Sequence, residues 1–144
     1  SARNGLVSNF GSNSNHFAFI WGGASGTSIK VCHYDGTEII APTLFTTKIM
    51  QDTGSGYGVS ADPNGGLVYV FKTYGVASMF WGIIDATATL VYTEEIALPG
   101  ISAPSGTLIG NKFVIAWTYY YTTAKNSLTL TYELMRKEYF TANF

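Results

Sequence analysis

The sequence predicts an all-β fold assembled from three repeated, four-stranded antiparallel units. Three observations predict it. First, the stretches His16-Phe17-Ala18-Phe19-Ile20-Trp21, Leu67-Val68-Tyr69-Val70-Phe71 and Lys112-Phe113-Val114-Ile115-Ala116-Trp117 share one pattern. They are rich in β-branched and aromatic residues, which suit a pleated strand. Alternate residues point to opposite faces, and both sets are largely apolar, so each stretch should be covered on two sides. Second, Trp21 precedes Asp35 by 14 residues, and Phe71 precedes Asp85 by the same 14. Third, no stretch shows convincing helical periodicity; Glu133 to Glu138 is too short to count.

The elements follow in order. Leu6 to Ser8 makes a short first strand, and Gly11 to Asn15 a turn. After His16 to Trp21, Gly22 to Ser25 reads as loop, and Ser28 to Tyr34 as a third strand that Asp35-Gly36 turns. Thr37 to Ile40 begins a fourth, where Pro42 argues against a central position. Gln51 to Gly58 is a flexible connector by composition. In the second unit Val59 begins a short strand. Asp62-Pro63-Asn64-Gly65-Gly66 is a tight turn, because Pro presets φ and Asn-Gly tolerates positive φ. Leu67 to Phe71, Ser78 to Ile84 and Thr89 to Tyr92 are its further strands, with Thr73 to Ala77 a loop. The third unit runs from Gly106 to Ile109, through Lys112 to Trp117, a longer loop at Tyr119 to Thr123, then Ser127 to Tyr132 and a last strand within Met135 to Phe144. Glu133 stands where Asp35 and Asp85 do.

Aligned at Trp21, Phe71 and Trp117, the units step by 50 and 46 residues. A period of about 45 is that of four-stranded propeller blades. A strand apolar on both faces fits there, because the middle strands of a blade are sandwiched between neighbouring blades. NHFAFIW, VSADPNGGLVYVF and NKFVIAW also resemble the FG-GAP and "NGxFVxxW" blade repeats of extracellular β-propellers, over most of the chain. The resemblance implies a propeller-like fold and, in many members, calcium held by a DxDxDG-like loop. Here Asp62-x-Asn64-Gly65 matches that loop in part, while Asn13-x-Asn15 and Gly110-Asn111 lack its carboxylates. No metal and no cofactor is therefore expected. Three blades do not close a ring, since propellers typically need four to eight. A β-trefoil is the first alternative, with three repeats that close on themselves. Gln51 is the sole glutamine, so the QxW motif of many sugar-binding trefoils is absent. A β-sandwich is the second alternative.

A chain of 144 residues suits a single all-β domain, 1–144, with repeats at approximately 6–50, 57–98 and 105–144. It is long enough to bury roughly 70% of its unfolded surface. A net charge of −1 gives no basic field for nucleic acid. No apolar run approaches the length of a membrane-spanning helix. No leader-like segment is visible and Ser1 is not methionine, so a processed or excised chain is expected. Cys32 is the sole cysteine and reads as a small core residue. Charged residues are 12%, against abundant Gly, Thr, Ser, Asn and Tyr, which points to an extracellular or cell-surface location.

Few residues carry chemistry. His33 on a strand beside Cys32 faces the other way, which disfavours a Cys–His pair. His33 with Asp35 offers two metal ligands and lacks a third. Asp35, Asp85 and Glu133 read as turn side chains rather than paired catalytic carboxylates. Gly22 to Ser28 has glycines but neither the lysine nor the helix of a phosphate loop. Aromatics are the enriched resource. Trp81 and the run Tyr119, Tyr120 and Tyr121 are the candidate binding residues, because exposed rings stack on sugars or anchor proteins. The expectation is a non-enzymatic module for self-assembly or protein association, a homo-oligomer or part of a larger assembly, with a carbohydrate-binding, lectin-like domain as the alternative.

Overall fold

The computed structural model describes residues 5–97, 101–121, 124–133 and 138–143. They form three four-stranded antiparallel sheets, each built from consecutive strands. The first holds β1 (Leu6–Asn9), β2 (His16–Gly23), β3 (Gly26–His33) and β4 (Glu38–Thr46). The second holds β5 (Tyr57–Ala61), β6 (Leu67–Lys72), β7 (Ser78–Ile84) and β8 (Leu90–Ala97). The third holds β9 (Ile101–Ile109), β10 (Lys112–Tyr121), β11 (Ala124–Glu133) and β12 (Glu138–Asn143). Among the described residues there is no α-helix, and one 3-10 turn at Thr53–Ser55. This is a β-propeller-like arrangement of three blades.

Of the three two-faced strands only β6 is covered on both sides as its sequence demands; β2 has Phe19 exposed on one face and β10 has Ala116 exposed on one face. In β6 every residue from Leu67 to Phe71 is buried. Leu67, Tyr69 and Phe71 pack with Ala18 and Ile20 of β2 in one core. Val68 and Val70 pack with Phe113, Ile115 and Trp117 of β10 in another. Each blade therefore has a leading face with a bulky row and a trailing face with a small one. The leading rows are Phe17-Phe19-Trp21, Leu67-Tyr69-Phe71 and Phe113-Ile115-Trp117. The trailing rows are Ala18-Ile20, Val68-Val70 and Val114-Ala116. At both junctions a trailing row meets the next blade's leading row.

The two junctions are held differently. The first carries a cluster of rings, with Tyr69 5.2 Å from both Phe45 and Phe71 and 5.8 Å from Phe80 between centroids. At the second, β5 and β9 meet through glycines. A Cβ on Gly58 would fall 2.1 Å from the Gly106 nitrogen, so only glycine allows this backbone contact. Ser60 Oγ there accepts the Leu108 N–H at 3.0 Å.

Pro42 and Pro104 both sit on edge strands, where a missing donor costs least. Each falls in a register shift: Ala41 and Pro42 lie opposite Lys30, and Ala103 and Pro104 opposite Trp117. These are two-against-one bulges.

Three expectations change. The loop placed at Gly22 to Ser25 narrows to two residues, because β2 runs to Gly23 and pairs with Gly26. Of the loop placed at Tyr119 to Thr123, Tyr119, Tyr120 and Tyr121 are strand, opposite Asn126, Lys125 and Ala124, while Thr122 and Thr123 lie outside the described residues. The connector of Gln51 to Gly58 is anchored at both ends, at Gln51 and where Tyr57 and Gly58 pair with Phe71 and Val70. Gln51 N–H donates to the Lys72 carbonyl and Tyr74 N–H to the Ile49 carbonyl, both at 2.7 Å. The buried Thr27 hydroxyl donates to the Lys48 carbonyl at 2.7 Å and accepts the Met50 N–H at 3.1 Å. A hydrogen-bonded backbone needs no hydrophobic pattern, so composition did not reveal it.

Candidate functional site

Trp81 is fully buried. Its ring lies 5.1 Å from Tyr92 and 6.2 Å from Phe113, inside the second junction, so it offers no face to a ligand. Its alternation with Met79 and Ile83 on the second face of β7 was the available signal. Tyr119, Tyr120 and Tyr121 are placed in β10, but their side chains lie outside the described residues.

The carboxylates at strand ends do turn work. Asp35 Oδ1 accepts the Thr37 N–H at 2.9 Å. Asp85 Oδ1 accepts the N–H groups of Thr87 at 2.9 Å and Thr89 at 3.0 Å, and the Thr87 hydroxyl at 2.7 Å. Bonds to the ionised form favour it. The Thr87 hydroxyl therefore leads in holding the Asp85 carboxyl below its ordinary range, and the Thr37 N–H does so for Asp35. Glu133 pairs with Lys112 and Glu138 in register; its side chain lies outside the described residues. In the turn that partly resembles a calcium loop, Asp62 Oδ1 is occupied by the Asn64 N–H at 2.9 Å. Among the described residues no group of three or more His, Cys, Asp or Glu gathers as a metal site.

One pairing was missed. His16 and His33 are direct cross-strand partners, with rings edge-to-face at 5.0 Å. Asn13 Nδ2 lies 3.2 Å from His16 Nε2. His16 and Asn13, but not His33, border a concavity of about 280 Å³ that Phe10, Ile39 and Ile40 also line. The hairpin register of the two strands was the signal for it. Cys32 pairs with Phe17 instead, one residue out of step with both histidines.

The largest departure from a sealed fold is the leading face of the first blade. Three cross-strand rows build it: Val7-Phe19-Lys30, Trp21-Ser28-Leu44 and Asn9-Phe17-Cys32-Glu38. Val7 is 59% exposed, Phe19 45% and Leu44 49%, while Phe17 and Trp21 are half-buried. Lys30 and Glu38 form an ion pair across it at 3.3 Å. On the other two blades the second-strand rows Leu67-Tyr69-Phe71 and Phe113-Ile115-Trp117 are buried; Trp117, at the Trp21 position, is 3% exposed. At the opposite end, Ser105, Gly106, Thr107, Val114 and Ala116 line an open depression of about 330 Å³ on the third blade.

No protein-family model and no curated protein matches the chain. Among the solved structures that match the chain are two of one enzyme. The crystal structure of puromycin hydrolase matches at 15% identity with a TM-score of 0.49, and a mutant of that enzyme complexed with PGG at 14% and 0.53. Each match covers 92% of this chain and 22% of the other. The chain thus spans about a fifth of the length of the structures it matches. At such identity the likeness is one of fold. It nevertheless corrects one expectation. The neighbouring fold occurs inside a hydrolase, so the lack of a recognisable acid–base motif does not make the chain non-enzymatic, and that reading is withdrawn. No helix among the described residues is long and apolar enough to cross a membrane.

Proposed function

We propose that this chain is a propeller-like module whose role is association through its open blade faces, in self-assembly or with a protein partner. One observation carries the reading. The Phe17-Phe19-Trp21 row stands open, although its two equivalents are sealed beneath a preceding blade. Contiguous exposed apolar surface of this kind marks contact sites. The FG-GAP-like character of the repeats and an extracellular or cell-surface location belong to the same proposal, supported by the repeat motifs and the low charge of the chain. The carbohydrate-binding alternative loses Trp81, which is buried, and rests on Tyr119, Tyr120 and Tyr121 alone.

The test is light scattering of the purified chain across a wide concentration range. The expected result is a particle heavier than 15.6 kDa. A 15.6 kDa species at every concentration, with no protein retained on the immobilised chain, would overturn the reading.

A further inference from the structure

The two open ends are the unmatched halves of one junction. Inside the chain the same junction is made twice, each time with a small trailing row under a bulky leading row. The first blade leaves a leading row, Phe17-Phe19-Trp21, without a blade over it. The third leaves a trailing row, Val114-Ala116, whose ends border an open depression. We infer that the occupant of each is a second copy of this chain, joined head to tail, so that two copies close a six-bladed ring. The inference rests on the association reading and names its partner and geometry.

The equivalences fix the contact. Register sets Thr107, opposite Val114, in the place of Ser60, opposite Val68. It likewise sets Asn9, opposite Phe17, in the place of Leu108, opposite Phe113. The Thr107 hydroxyl of one copy therefore meets the Asn9 main chain of the other, as Ser60 Oγ meets the Leu108 N–H at 3.0 Å. Ser105 stands where Gly58 does and Val7 where Gly106 does. That pair carries side chains, as Leu6 and Val59 do at the first junction, so the new junction resembles the first in its spacing. A head face binding a different tail face is heterologous, and such a contact makes a ring when its rotation closes. Six blades lie within the range that propellers use.

The experiment is sedimentation velocity on the whole chain and on two variants, Phe19→Glu and Ala116→Arg. Both positions are exposed in the single chain, so each variant keeps its fold, which circular dichroism checks. Should either fail to fold, Val7→Lys or Thr107→Lys replaces it. The wild type is expected at twice 15.6 kDa. Each variant weakens self-association about thirtyfold or more, the loss typical of a central interface residue. Mixed together, the two variants form a one-to-one complex, because each retains the face that the other lacks. A wild type that dimerises, with Ala116→Arg still dimeric, overturns head-to-tail pairing and leaves association standing. A wild type that grows into long polymers overturns closure at two copies. A monomeric wild type overturns the pairing altogether and assigns the face to another sequence.

Discussion

The first junction is filled by rings and the second is closed by glycines, and the contrast explains how one repeat yields two kinds of contact. Tyr69, Phe71, Phe80 and Phe45 need space between the first and second blades, which Leu6 and Val59 help to keep. Between the second and third blades Gly58 lies on Gly106, and the first strands touch backbone to backbone. Aromatic filling tolerates adjustment because rings can tilt. A glycine contact does not, since its partner is main chain. The leading face of the first blade is a third state of the same surface, bulky but uncovered.

The widest gap should separate covered from uncovered equivalents. Trp117→Ala removes a buried indole and should cost about 3–5 kcal/mol in urea unfolding. Trp21→Ala, at the same place in the repeat but half-buried, should cost about 1 kcal/mol in dilute solution. Equal losses would mean that the first blade's face is already sealed. Next comes the glycine contact. Gly58→Ala should destabilise by about 1–3 kcal/mol through overpacking. Gly54→Ala, with nothing within 4 Å of the new Cβ, should leave the midpoint unchanged or slightly raised.

A smaller effect is expected at an ion pair that crosses the first junction. Lys48 Nζ contacts Glu95 Oε2, and Ser78 Oγ donates to Glu95 Oε1 at 2.7 Å. The Lys48 bond leads, followed by that from Ser78, in holding the Glu95 carboxyl below its ordinary value of 4.5. A carboxylate with a depressed folded pKa stabilises above its unfolded value and loses that contribution as pH falls through the folded one. Glu95→Gln should therefore flatten the loss of stability below pH 4.5, by no more than about 1 kcal/mol at a partly exposed pair. The smallest effect belongs to Tyr69→Phe. Burial raises the Tyr69 phenol well above its ordinary range. The nearby Thr93 hydroxyl, which donates to the Trp81 carbonyl at 3.1 Å, keeps its lone pairs for the phenol and partly offsets that rise. Losing the Tyr69 hydroxyl should leave thermal stability within about 1 kcal/mol of wild type.

Much of this fold was legible because strand alternation is written directly into side-chain type. Phe17-Phe19-Trp21 and Leu67-Tyr69-Phe71 read alike, and they fall on equivalent faces. What sequence could not supply was which equivalents find a cover, since that depends on which blade stands in front. Trp81 shows the cost of this gap: a ring read as available for stacking is enclosed by Phe113 from another blade. The His16–His33 pair stayed hidden because the hairpin register is set by a two-residue turn that composition suggested was longer. The turn carboxylates Asp35 and Asp85 were readable because a local Asx turn depends on near neighbours.

The anchored segment between the first two sheets bears on where this chain could be divided. Its sequence period invites a cut near Gly56, between one copy and the next. Yet Ile49 and Gln51 already lend their main chain to Lys72 and Tyr74, on the far side of that seam. A fragment beginning at Tyr57 would surrender those two bonds, and one ending at Met50 would carry away half of a clasp. The first two modules overlap like roof tiles, so dividing the chain between them must trespass on one or the other.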